Sequence, residues 1–336
     1  MAIHRHTAGL PDAARGCVVA IGNFDGVHRG HQAVIAEIER IAAERGRPAA
    51  VLTFEPHPRR FFRPQDPPFL LTSFRLKARL LERLGVDHVY FLTFNAALSQ
   101  LSAEAFVRDI LVRDLGVAHV AVGDNFCFGH KRQGDVAFLR AAGQAHGFGV
   151  TVLDRVLSSG GEAYSSTAVR DYLKAGDPNR AASLLGRYWE IEGRVQEGAR
   201  LGRTLGFPTA NVALGDSLEP AYGVYAVNAG LDQGDRTVWR PGVASLGIRP
   251  TVENDAARPN QPLLEVHLFD FDGDLYGRHM RVALVGYLRP EWKFETLEAL
   301  KVQMEEDARR ARVMLASEQW PPGWPAGPFL PSRPKV

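Results

Sequence analysis

A change of rhythm constrains this chain more than any single motif. From residue 16 to about 186, short apolar runs (17–21, 50–54, 88–93, 118–122 and 149–153) alternate with helical patterns (29–45, 73–84, 103–114 and 134–146). Parallel neighbours need a crossover long enough for a helix, so the alternation predicts a parallel sheet with helices on both faces. From 188 onward the runs YWEIEGRV, GVYAVNAG, TVWRPGVASLG, LLEVHLFDF and HMRVALVGYL follow one another without intervening helices. Glycine-rich links between short strands predict an antiparallel barrel, with FDGD (271–274) as a hairpin signal. A late helix over 296–315 carries Leu297, Leu300, Met304, Ala308, Ala311 and Leu315 on one face and is expected to cap the barrel. The division falls near 186. The proline-rich stretch 317–336 is expected to be disordered.

Composition narrows the class. At 336 residues the chain can build two cores, and 45% apolar with 23% charged residues fits a globular protein. A formal charge of +2 argues against wholesale nucleic-acid coating. No apolar run reaches the ~20 residues of a membrane span. Cys17 and Cys127 lack C-x-x-C spacing, and the first residues lack the apolar core of a secretion signal, so a reducing cytoplasm is the expected location.

IGNFDGVHRGHQ (21–32) sits between the first apolar run and the first helix. A helix N-terminus offers unpaired N–H groups and partial positive charge, which suits an anion, and Gly26 and Gly30 allow close approach. His28 and His31 are either incidental to a helix-capping turn or two imidazoles facing an α-phosphate as it becomes pentavalent. SSTAVRDYL (165–173) adds Ser165, Ser166, Thr167 and Arg170 at another helix start, a pattern suited to pyrophosphate, although one hydroxyl also serves as an ordinary cap.

In the second half, GRVQEGARLGRTLGFPTANV (193–212) reads either as a flexible barrel loop or as a phosphate loop. Gly202, Arg203, Gly206 and Pro208 would serve phosphate, with Thr209 and Asn211 offering neutral oxygens to Mg²⁺ and nucleotide. It lacks the G-x-x-x-x-G-K-[ST] pattern. Glu265 lies in an alternating strand, sharing a face with Leu263, His267 and Phe269; it is either solvent-facing or the base for an acceptor hydroxyl. Asp270, Asp272 and Asp274 alternate as in a calcium loop, but the glycine comes early and position 12 holds no glutamate. His4, His6, His28, His31 and His57 lack acidic partners at zinc-site spacing.

IGNFDGVHRGHQ, TFEPHPRRFF (53–62), VGDNFCFG (122–129) and SSTAVRDYL together resemble the N-terminal domain of the bifunctional bacterial riboflavin kinase/FAD synthetase family. GRTLGFPTAN, PAYGVYAV, GVASLGIRPTV, LLEVHLFDFDGDLYG and LRPEWKF resemble its kinase domain. The resemblance implies a Rossmann-like nucleotidyltransferase domain over 1–186 and a β-barrel riboflavin kinase domain over 187–316. Its activities would be phosphorylation of riboflavin by ATP to FMN, then adenylylation of FMN to FAD with release of pyrophosphate and with Mg²⁺. By the match, Gly22, Asn23, Phe24, Asp25 and Gly26 shape the ATP turn. Phe62, Asn125 and Phe128 fall on the flavin side, where either phenylalanine is equally at home in the core. Glu265 would be the base for the ribityl 5′-hydroxyl. The departures are Asn125 for an aspartate, Tyr164 for an isoleucine, Ser245 for an asparagine and Ile248 for a threonine. Two readings compete: a flavin binder that has lost its chemistry, and an adenylyltransferase for another phosphorylated coenzyme precursor.

Overall fold

Val18, Val19, Ala20 and Ile21 are all buried, as a central strand covered on both faces requires. In the computed structural model, which describes residues 1–158, 160–197, 206–233, 236–248 and 262–317, they form β2 (Val18–Ile21). With β1 (Ala2–His4), β3 (Ala49–Glu55), β4 (His88–Thr93), β5 (His119–Gly123) and β6 (Gly149–Leu153) they make a parallel sheet in the order β1-β4-β3-β2-β5-β6. Period-two alternation splits its side chains cleanly. Val19, Ile21, Leu52 and Val120 enter one core, while Val18, Ala20, Val51 and Val89 enter the other. The helices are α1 (Arg29–Arg45), α2 (Pro58–Phe62), α3 (Phe74–Arg83), α4 (Ala96–Ser99), α5 (Ala103–Ala105), continued by a π-helical stretch over Phe106–Asp114, and α6 (Val136–His146). The edge strand β1 went unread in the sequence.

The second unit opens with α7 (Ser166–Lys174) and α8 (Pro178–Leu185). Its barrel closes through β7 (Trp189–Gln196), β8 (Ala210–Ala213), β9 (Gly223–Gln233), β10 (Arg236–Ile248), β11 (Pro262–Leu268) and β12 (His279–Arg289), in the order β10-β11-β8-β7-β12-β9. Neighbours run antiparallel. Closure removes the exposed strand edges.

The two compact units part between Ser165 and Ser166, and Pro68–Ser73 belongs to the second. That division precedes residue 186 because α8 buries Ala181, Ala182, Leu184 and Leu185, with Ala182 packed on Ala283 and Val285 of β12. The segment 68–73 is tied in by Trp189 Nε1 donating to Leu71 O (2.7 Å) and Leu218 N donating to Leu70 O (2.8 Å).

Two expectations are corrected here. FDGD does not make a hairpin: β11 pairs with β10 and β8, and β12 with β7 and β9. Asp-Gly supplies a local turn, with Tyr276 N donating to Asp274 Oδ1 (2.9 Å), but does not choose a partner strand. The late helix, α9 (Leu297–Ser317), lies across the barrel flank that carries Val224, Ala226, Val243 and Leu288. Leu297 is 60% exposed, whereas Asp307 is buried. Arg289 explains the burial of Asp307: its guanidinium donates to both carboxylate oxygens at 2.7–3.0 Å. The stretch 318–336 lies outside the described residues.

Candidate functional site

The chain runs from β2 to β3 and β4 on one side, then returns to β5 on the other side of β2. The carboxyl ends of β2 and β5 therefore flank a topological switch point, where open α/β sheets bind ligands. IGNFDGVHRGH leaves β2 at this edge, and the turn carrying Asn125 leaves β5.

The turn after β2 is backbone-strained. Phe24, Gly26 and Val27 have φ of 47°, 83° and 43°. A non-glycine residue in this region costs on the order of 1–3 kcal/mol and persists only where its surroundings over-determine it. Here Phe24 and Val27 are buried in the core. The Asn23 carbonyl accepts from Lys77 Nζ (2.9 Å) and Thr53 Oγ1 (3.1 Å), and Gln32 Nε2 donates to Val27 O (2.9 Å). Gly22 is where the Phe24 ring lies close, 3.3 Å from the site of a Cβ.

His28 is the N-cap of α1: its Nδ1 accepts from His31 N (3.3 Å). His28 therefore does cap the helix, and the cap has a chemical consequence. With Nδ1 occupied as an acceptor, a neutral His28 carries its proton on Nε2 and presents a donor there. The two imidazoles stack at 3.7 Å between centroids and 19° between planes, with Phe24 5.1 Å behind His31. Gly30 makes the stack possible. A Cβ there would lie 3.1 Å from His28 Nδ1 and 3.3 Å from the Tyr164 carbonyl. Asp25 is buried within the turn.

The flavin-side aromatics part company. Phe62 is 62% exposed on α2, edge-on to Phe61 and Phe94 (5.2 and 5.6 Å). Phe128 is buried among Phe106, Phe126 and Phe138 and serves packing. Asn125 is exposed. α7 starts at Ser166, directly after Ser165, with Thr167 exposed. Arg170 donates from Nε to Phe69 O (2.8 Å) and stacks over the Phe69 ring, so the structure shows it tethering segment 68–73.

In the barrel, register brings together what the sequence kept apart. Glu265 stands directly opposite Asn211 of β8 and Ser245 of β10. Directly paired residues share a face with Cβ atoms ~5 Å apart. Thr209 immediately precedes β8, two residues before Asn211. Leu264, Val266 and Leu268 are buried on the opposite face, while Leu263, Glu265 and His267 are half-buried; Phe269, beyond the strand end, is buried. His267 Nδ1 lies 3.0 Å from Pro208 O, where a protonated nitrogen donates, pinning the residue before Thr209 to the Glu265 strand. Gly206 has φ of 85° and Pro208 is exposed; Gly202 and Arg203 lie outside the described residues.

A cavity of about 400 Å³ adjoins this face, lined by Val224, Ser245, Arg289, Glu291, Trp292 and Phe294 among others. Through Ser245 it reaches the strand position of Glu265. Burial raises the Glu291 carboxyl above its ordinary value; Arg289 opposes the rise, and the Glu265 charge adds to it. Arg289 also stacks over the Trp292 ring at 4.6 Å. Sequence reasoning quoted LRPEWKF for its resemblance but named none of its side chains as site residues, although two aromatics around a charge were a usable signal. Lys77 was missed too, although a lysine between Phe74 and Leu81 on the apolar face of α3 was a signal.

Residues 10–168 match the FAD synthetase family model, and 185–315 match that of riboflavin kinase. A bifunctional riboflavin kinase/FMN adenylyltransferase of Pseudomonas fluorescens is 46% identical over 94% of this chain and 98% of its own length. Its counterpart in Escherichia coli K12 is 44% identical over 88% and 92%. A crystal structure of a Streptococcus pneumoniae protein named as a macrolide-efflux protein superposes with a TM-score of 0.79 at 27% identity, covering 92% of this chain and 98% of its own. Among the described residues, no helix of this chain is long and apolar enough to cross a membrane. With both halves matched in order and the relatives spanned almost end to end, the chain belongs to the bifunctional riboflavin kinase/FMN adenylyltransferase family and carries both activities of flavin-cofactor synthesis.

Proposed function

We propose that residues 187–316 phosphorylate riboflavin and residues 1–186 adenylylate the FMN so formed, each half using its own ATP. The observation that carries the kinase assignment is the pairing of Glu265 with Asn211 across β11 and β8, beside a cavity with aromatic walls. Riboflavin enters that cavity with its ring against Trp292 and Phe294. Glu265 accepts the proton of the ribityl 5′-hydroxyl as its oxygen bonds to the γ-phosphorus of ATP, and ADP leaves. Thr209 and Asn211 offer neutral oxygens of the hard kind that suits Mg²⁺. Bound there by Thr209 and Asn211, Mg²⁺ would neutralise phosphate charge. His267 holds the loop through the Pro208 carbonyl.

In the adenylyl-transfer half, a phosphate oxygen of FMN attacks the α-phosphorus of ATP and pyrophosphate leaves. The Nε2–H of His28, together with His31 and the positive end of the α1 dipole, stabilises the added negative charge. Gly22, Asn23, Phe24, Asp25 and Gly26 hold that turn open to the phosphates. Ser165, Ser166, Thr167 and Arg170 receive pyrophosphate, and Phe62 with Asn125 receives the flavin. In the kinase loop, Gly202, Arg203, Gly206 and Pro208 serve the ATP phosphates.

The experiment is incubation with riboflavin, ATP and Mg²⁺, followed by chromatographic separation of flavins. The intact chain yields FMN and FAD. Glu265→Ala makes no FMN from riboflavin yet converts supplied FMN to FAD, and His31→Ala does the reverse. A substitution that ends both steps equally contradicts the assignment of halves, and flavin binding without ATP consumption contradicts the enzymatic reading.

A further inference from the structure

Lys77 lies on α3 at the centre of its apolar face, three residues after Phe74 and four before Leu81, while Arg75, Arg79 and Arg83 take the opposite side. The structure buries it there, 3% exposed. An ammonium is almost never buried unless it is paired, because desolvation costs several kcal/mol. Its partners are specific. Nζ donates to the Asn23 carbonyl at 2.9 Å. Burial lowers the Lys77 pKa from the ordinary lysine value, and the nearby carboxylates of Asp25 and Glu55 oppose that fall. Asn23 and Asp25 belong to the strained turn after β2. Glu55 ends β3 and leads into the 56–62 segment that carries Phe62.

The side chain therefore sits beneath two loops that leave adjacent strands at the same edge of the sheet. The upper loop needs such a support. Phe24 and Val27 hold positive φ, and two hydrogen bonds converge on the carbonyl of Asn23, from Lys77 and from Thr53. Asp25 is itself buried within a turn that is to receive phosphate, so its negative charge needs a counterion below the backbone.

We propose that Lys77 is a positioning residue for adenylyl transfer, holding the 22–28 turn in its phosphate-facing shape through the Asn23 carbonyl and balancing the buried Asp25 and Glu55. It acts through the turn and touches no reacting atom. This rests on the assignment of adenylyl transfer to that turn.

The test compares Lys77→Met, Lys77→Arg and Thr53→Val in the full chain, with His31→Ala alongside. The readouts are steady-state FAD synthesis from FMN and ATP, riboflavin phosphorylation as an internal standard, and the melting temperature. Lys77→Met is expected to lower kcat for FAD synthesis by roughly tenfold or more with KM for FMN changed by less than about threefold, since misplacing a preorganised turn acts on the transition state. Riboflavin phosphorylation is unchanged, and Lys77→Arg recovers part of kcat. Thr53→Val, which keeps the charge but removes one of the two hydrogen bonds, lowers kcat by roughly two- to fivefold at constant KM. A purely structural lysine would reduce the folded fraction and leave kcat per folded molecule intact; that result overturns the proposal. If Lys77→Met does not fold, a fully active Thr53→Val overturns it. If His31→Ala still makes FAD, the turn assignment itself fails. An inactive His31→Ala beside a fully active Lys77→Met removes Lys77 alone.

Discussion

His28 caps α1, and the proposed function also gives its ring to the ATP phosphates; the two roles can be separated by one substitution. Asparagine is among the best N-cap residues, so His28→Asn keeps an acceptor for the His31 N–H while removing the ring. His28→Ala removes both. The capping bond is long, 3.3 Å, so its loss belongs at the low end of the capping range, about 0.5–1 kcal/mol. For a unit of this size that lowers the melting temperature by roughly 1–4 °C. The ring is a different matter. A preorganised donor to developing phosphate charge contributes about 10²–10³ in kcat, equivalent to ~2.7–4 kcal/mol. His28→Asn should therefore melt within about 1 °C of the native chain while making FAD from FMN some hundredfold more slowly. His28→Ala should be as slow and should also melt lower. The assay is initial-rate FAD formation under saturating FMN and ATP, with a thermal melt on the same preparation. If His28→Asn keeps half or more of the native rate, the imidazole is only a cap.

Asp307→Ala strands the buried Arg289 guanidinium; breaking such a pair costs about 3–5 kcal/mol, so the barrel's melting transition should fall by on the order of 10 °C and KM for riboflavin should rise, as calorimetry and kinase kinetics would register. Glu265→Gln keeps the shape of the strand face and removes the base, so riboflavin phosphorylation should drop by roughly 10²–10⁴ while FAD synthesis from FMN stays native. His4 and His88, 3.2 Å apart, are both held below the ordinary 6.5, chiefly by burial, so the unfolded chain binds protons that the folded one refuses. Stability of the first unit is then full above about pH 6.5 and declines as pH falls below it, and His88→Asn should flatten that slope in a series of melts. Chelation of divalent cations should halt FMN formation, with recovery on adding Mg²⁺.

The legible features were those written locally. The β2–turn–α1 unit announces itself because glycines, histidines and a helical repeat lie within a few residues, and the helix over 29–45 is where the periodicity put it. β1 escaped because Ala2–His4 is three residues long and lies at the sheet edge, too short for any alternation to register. FDGD misled because a turn signal carries no information on which strand comes next in the barrel. Asp307 and Lys77 were not singled out in the sequence for a shared reason. Each falls on the apolar side of its helix, but the partner that accounts for its burial, 18 residues away for Asp307 and 54 for Lys77, is brought against it only by the fold. The pairing of Glu265 with Asn211 depends on barrel register between strands that are not consecutive, which no local pattern encodes.

The account stands on two displacements at two different phosphorus atoms, performed by two halves of one chain. Feeding riboflavin with ATP radiolabelled at either the γ- or the α-phosphate tests this directly. The expected result is γ-label in FMN and α-label entering only with FAD; Glu265→Gln loses the first from riboflavin yet still transfers α-label to supplied FMN, and His31→Ala keeps the first and loses the second. Label from the α-phosphate in FMN, loss of α-transfer to supplied FMN in Glu265→Gln, or loss of γ-transfer to riboflavin in His31→Ala would contradict it.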